Sequence, residues 1–141
     1  MMRIIKTKTI YFILMALTLT FSGCASMDKS KQHDLIEVSL NDFRKALRWG
    51  YFENATQFIQ AKDYKETLRD PAYMKNVRIT AYEYNNKRFS EEGNQLDVTA
   101  LISYYNVNQG TVSDIAVDQT WWFDAEKNRW FLDGDLPDLS H

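Results

Sequence analysis

Leu96-Asp97-Val98-Thr99-Ala100-Leu101-Ile102-Ser103-Tyr104-Tyr105 and, beyond a polar break, Val112-Ser113-Asp114-Ile115-Ala116-Val117-Asp118-Gln119-Thr120-Trp121-Trp122-Phe123 decide the fold of this chain. Both runs are dense in β-branched and aromatic residues and alternate with period two, as strands with one covered face do. Asn106-Val107-Asn108-Gln109-Gly110 between them is a turn signal. If Tyr105 pairs with Val112, the whole hairpin is in register: Leu96 faces Trp121, Ala100 faces Val117 and Ile102 faces Ile115. A second turn signal, Ala125-Glu126-Lys127-Asn128, with Asp124 paired to Arg129, sets Phe123 opposite Trp130 and Trp121 opposite Leu132. One face then gathers Leu96, Val98, Ala100, Ile102, Tyr104, Ile115, Val117, Trp121, Phe123, Trp130 and Leu132. A slip of one residue would turn that entire set outward.

Working back toward the N-terminus, Glu91-Glu92-Gly93-Asn94 is another turn, and Val77-Arg78-Ile79-Thr80-Ala81-Tyr82-Glu83-Tyr84 opens a further strand. Asn85-Asn86 interrupts its alternation and predicts a bulge. Before residue 77 the period changes. Ile36, Leu40, Phe43 and Leu47 recur at four, three and four residues, one face of an amphipathic helix. Asp34 with Glu37 suits a capping box, with Ser39 a rival start. Gly50 sits where a helix ends, and Phe52, Ala55, Thr56 and Ile59 form a second short stripe. Asp63 and Asp70-Pro71 predict two further helical turns. Helices in one block and strands in the next make the domain α+β, a helical hairpin on a bent antiparallel sheet of about four strands.

The 141 residues are 45% hydrophobic and 26% charged, with five Gly, two Pro and one Cys, which excludes collagen-like, disordered and disulfide-stapled classes. The first 23 residues stand apart. Arg3, Lys6 and Lys8 precede an uncharged run over 9–21, which as a helix would be about 20 Å long, short of a hydrocarbon core of roughly 30 Å. Ser22 and Gly23 then lead to Cys24. This is the order of a signal peptide: basic region, apolar region, small residues at the cleavage site. Leu19-Thr20-Phe21-Ser22-Gly23-Cys24-Ala25-Ser26 resembles a bacterial lipobox, with Phe21 where Leu is usual. The resemblance implies cleavage between Gly23 and Cys24 and attachment of lipid, palmitate included, to the Cys24 thiol. Cys24 is the sole cysteine and has no disulfide partner. Ala25 after it, in place of Asp, resembles lipoproteins sorted to the outer membrane and facing the periplasm.

Three segments are expected: a signal peptide over 1–23, a lipidated polar tether over 24–32 and one domain over 33–141. Losing 1–23 removes three cations and takes the formal charge from −2 to −5. A mildly acidic domain without a basic run has little attraction for nucleic acid or anionic lipid, so its membrane contact is expected through the lipid alone.

The helical hairpin before long bent strands, with Leu47-Arg48-Trp49-Gly50-Tyr51-Phe52-Glu53-Asn54-Ala55 at the helix junction and Trp130-Phe131-Leu132-Asp133-Gly134-Asp135-Leu136-Pro137 at the end, resembles the NTF2-like (SnoaL-like) domains of small uncharacterised proteobacterial lipoproteins. The resemblance implies a cone fold and an envelope location, and it carries no activity of its own.

Enzymes of that fold do proton chemistry inside the cone, which requires a carboxylate or imidazole there. The covered face offers Tyr104, Ser113 and Gln119, a candidate ligand pocket of hydrogen-bonding groups. His33 and His141 sit at the domain's ends and make a poor metal site. Asp114 and Asp118 fall on the opposite strand face and read as solvated charges. No phosphate loop, GxSxG or HExxH motif is present. The opposite face carries Leu101, Tyr105, Trp122 and Phe131, a candidate interaction patch unless a chain terminus folds over it. Truncating Trp122 there is expected to be much milder than truncating Trp121 or Trp130. Together these readings predict a lipid-anchored, non-catalytic binding or scaffolding module without cofactor or metal, with an envelope protein partner and a homodimer as candidate assemblies. The alternative is a periplasmic small-molecule binder with an open cone and weak enzymatic activity. A buried acid such as Glu83 would favour that alternative, and a filled cone the first reading.

Overall fold

The computed structural model describes residues 24–63 and 69–139. The chain divides into two compact units, Met1–Lys31 and Gln32–His141. Of the first unit only 24–31 is described, and it is helical. The expected cleavage position Gly23 and the signal peptide lie outside the described residues.

Helix α1 spans Cys24–Arg48, α2 spans Phe52–Thr56, and a 3-10 helix covers Pro71–Met74. Strands β1 (Val77–Phe89), β2 (Gln95–Asn106), β3 (Val112–Asp124) and β4 (Arg129–Asp133) follow, paired antiparallel in the order β1-β2-β3-β4. The fold is α+β, helix first and four-stranded meander second, consistent with an NTF2-like cone. The helical start differs from expectation. Residues 25–32, within the segment read as a polar tether, are helical, because α1 begins at Cys24 rather than at Asp34 or Ser39. Polar composition hid this: a helix needs an apolar face only where it packs, and 25–32 lacks one.

Ile36, Leu40, Phe43 and Leu47 are buried almost completely and form the face of α1 that packs on the sheet. Gly50 takes a φ of 76° just past the helix, a conformation that costs a side-chain-bearing residue about 1 kcal/mol or more. Asp70 accepts a hydrogen bond from the Ala72 amide at 2.9 Å and starts the 3-10 helix ahead of Pro71. The helical turn expected from Asp63 onward falls on 64–68, which lie outside the described residues.

Both hairpin registers are those expected. Tyr105 pairs with Val112, Ala100 with Val117 and Leu96 with Trp121. Phe123 pairs with Trp130 and Trp121 with Leu132. β1 shifts register between Asn85 and Arg88, where Asn86 has a φ of 55°, and again between Ile79 and Ala81, which the alternation did not reveal. The inner face packs Leu96, Val98, Ala100, Ile102, Tyr104, Trp121, Trp130 and Leu132 against α1. Ile115, Val117 and Phe123 are only half-buried at its margins.

Asp124 closes the β3–β4 turn. Its carboxylate accepts from the Glu126 and Lys127 amides, each at 3.0 Å, and lies 3.4 Å from the Lys127 ammonium. The Lys127 amide above all, together with that ammonium, holds its pKa below the ordinary 3.8. A depressed carboxylate stabilises the fold above its unfolded pKa, and that contribution disappears as pH falls through the folded value. Asp124→Asn should therefore lose stability at neutral pH and show a shallower decline of urea midpoint as pH falls from 5 to 2. An unchanged acid limb would contradict the role given to Asp124.

Candidate functional site

The residues proposed as a cone pocket do not form one. Tyr104 and Ser113 are cross-strand partners, Tyr104 fully buried and Ser113 half-exposed. Gln119 is buried and already engaged. Its amide donates to the Tyr82 hydroxyl at 3.0 Å, and its carbonyl accepts from the Trp121 indole at 3.3 Å. Tyr84 packs edge-on to Tyr82, with ring centres 5.1 Å apart, and donates to the Leu40 carbonyl at 3.2 Å. Burial pushes the Tyr82 hydroxyl up to about 12 and the Tyr84 hydroxyl well above its ordinary value. Both stay neutral and serve as hydrogen-bonding groups within the core. Space between sheet and helix is taken by Trp121, Trp130, Phe43 and Tyr104, all essentially without exposure. Glu83 points away from it and is exposed.

The candidate patch is likewise dismantled. Trp122 and Phe131 pack against each other at 5.7 Å and are 9% and 6% exposed. Among the described residues they are covered by 58–62 rather than by a terminus. Ile59 bridges to Leu132, the Gln60 amide donates to the Leu132 carbonyl at 3.0 Å, and the Trp122 indole donates to the Gln60 carbonyl at 2.9 Å. Lys127 lies over the Phe131 ring at 5.0 Å. The C-terminal Leu136 and Leu139 enter the main core instead. Leu101 stays 39% exposed and Tyr105 half-exposed, too little to make the patch proposed.

Concavities lie at the surface. Where β1 bulges, Lys87, Arg88, Asp97, Thr99, Asp118 and Thr120 line a hollow of about 520 Å³. Its carboxylates are drawn into strand-to-strand pairs, Thr99 to Asp118 and Thr120 to Asp97, each at 2.9 Å, and Lys87 is bound to Glu37 at 2.7 Å. A groove of about 490 Å³ lies between the end of α1, the start of α2, the 3-10 helix and β1. Arg48, Trp49, Glu53, Lys75 and Arg78 line it above Leu47, Phe52, Val77 and Ile79. No local pattern in the sequence marks this groove, because the cations that line it are distant in the chain. Trp49 is 74% exposed. Among the described residues, no three His, Cys, Asp or Glu side chains cluster so as to hold a metal ion. None of the described helices is long and apolar enough to cross a membrane.

No family model and no curated protein matches the chain. A solved structure described as a "putative polyketide cyclase", from Xanthomonas campestris pv. campestris, is similar with a TM-score of 0.40 and 7% identity, over 78% of this chain and 93% of that one. That protein carries the name of an enzyme. The expectation that this chain is not an enzyme is corrected on that finding and is withdrawn.

Proposed function

We propose that this chain is a lipid-anchored protein of the cell envelope, held at the outer membrane and facing the periplasm, whose domain binds at its surface. The single observation that carries surface binding is the filled interior: Trp121, Trp130, Tyr104 and Phe43 occupy the space a cone ligand would need. The anchor is supported by the cationic start, the apolar run over 9–21 and the small residues before Cys24. Two or more acyl chains on one residue hold a protein stably where one does not. An envelope protein is the partner this placement favours.

Metabolic labelling tests the anchor. In cells given radiolabelled palmitate, the wild-type chain should take up label and the Cys24→Ser chain none, remaining at precursor size. Label in the Ser chain would sink the lipoprotein reading. Surface binding is tested by crosslinking the full-length protein in cells and identifying what is recovered with it; recovery of no envelope component would count against it.

A further inference from the structure

We propose that the groove at the junction of α1 and α2 is a binding site for a planar organic anion, one carrying a carboxylate or phosphate group on a ring. The inference rests on the surface-binding reading and not on the lipid anchor. Its first support is charge. Arg48, Lys75 and Arg78 converge on one groove with Glu53 the single acid in its lining, on a chain whose net charge is −2. None of the three forms an ion pair with another described residue: Arg48 and Arg78 spend donors on backbone carbonyls, of Thr80 at 3.3 Å and of Lys75 and Val77 at 3.0 and 2.8 Å. Those carbonyls aim the guanidinium groups without neutralising them. Like charges gathered in one concavity repel, and an anion seated among them relieves that repulsion. A guanidinium fork matches carboxylate and phosphate oxygens in pairs.

The second support is shape and chemistry. Trp49 stands 74% exposed at the rim, the most exposed large apolar side chain among the described residues, and offers a ring face for stacking. Leu47, Phe52, Val77 and Ile79 supply an apolar floor. A volume of about 490 Å³ is within the size of small-ligand sites. Cationic walls, an apolar floor and an exposed indole at the rim together select an anionic ring over an inorganic ion or a neutral one.

The test uses the full-length protein in detergent, with 2-naphthoate as probe and 2-naphthamide as its uncharged counterpart, read by calorimetry and by acrylamide quenching of tryptophan. The other three tryptophans are buried, so protection from quenching reports Trp49. Naphthoate should bind and shield Trp49, and naphthamide should bind roughly tenfold more weakly or worse. Arg78→Gln and Lys75→Gln should each weaken naphthoate by roughly tenfold. Arg88→Gln, an equal charge change elsewhere, should leave it unchanged. Equal binding of naphthoate and naphthamide, or equal weakening by Arg88→Gln, would overturn the proposal. So would sedimentation with phosphatidylglycerol vesicles that needs Arg78 and Lys75 in a protein that binds no naphthoate. A circular dichroism spectrum unchanged from wild type qualifies each variant, and Arg78→Lys should recover part of the affinity if charge is what matters. Failure here with envelope partners still crosslinked removes this site alone and leaves the surface-binding reading intact.

Discussion

Trp121→Ala should remove about 3–5 kcal/mol of folding stability, as should Trp130→Ala, values expected when a large aromatic side chain is deleted from a packed core. Trp121 has no exposed surface; it meets Phe43 of α1 edge-on at 5.4 Å and pairs with Leu96 and Leu132 across both hairpins. Removing it opens a cavity where sheet and helix meet, and α1 is too firmly seated by Ile36, Leu40 and Leu47 to collapse into it. Trp130 adds a polar contribution, its indole donating to the Gln32 carbonyl at 2.9 Å. Trp122→Ala, at first expected to be much milder, should also destabilise measurably, because it strips the cover of residues 58–62 and leaves the Gln60 carbonyl without its donor. It should still rank below Trp121→Ala. Urea melts of the three variants check the order, and Trp122→Ala as the most damaging would contradict the placement of the core.

Gln119→Leu should be the most costly change of a polar residue. Gln119 alone joins the Trp121 indole to the Tyr82 hydroxyl inside the core. Leucine fills a similar volume but leaves that indole donor with no acceptor and takes one of two partners from the Tyr82 hydroxyl, Tyr84 being the other. A buried polar group left unsatisfied costs about 1–3 kcal/mol, so the orphaned indole and the weakened Tyr82 pairing place Gln119→Leu toward the top of that range, below the core truncations. Tyr82→Phe in the same background removes the under-paired hydroxyl and should restore part of the loss. Non-additivity in that double-mutant cycle is the signature of a shared network. Additive effects would show that the two side chains act separately.

Period-two alternation over 96–123, with turns that admit only one pairing, determines register without reference to the rest of the chain, and both hairpins follow it residue by residue. The apolar stripe of α1 was legible in the same way, since Ile36, Leu40, Phe43 and Leu47 mark a buried face wherever the helix begins. Alternation tells which face a side chain is on, but not what lies over that face. Trp122 and Phe131 were therefore placed on the correct side of the sheet, with a chain terminus as the only cover foreseen. Only the tertiary structure brings 58–62 alongside β4 to bury them.

The same limit governed the candidate sites. Sequence put Gln119 on the inner face, as found, but its engagement by Tyr82 and Trp121 depends on a bond across 37 positions that no local pattern encodes. Arg48, Lys75 and Arg78 are separated in sequence and joined by no local pattern; the return of the chain through the 3-10 helix brings them to one groove with Trp49. What this sequence determined by itself is the α+β order, the strand register and the face each residue occupies, because those are set by near neighbours and period. What the tertiary structure alone decided is which faces are covered and which charges meet, because both depend on long-range packing that alternation does not record.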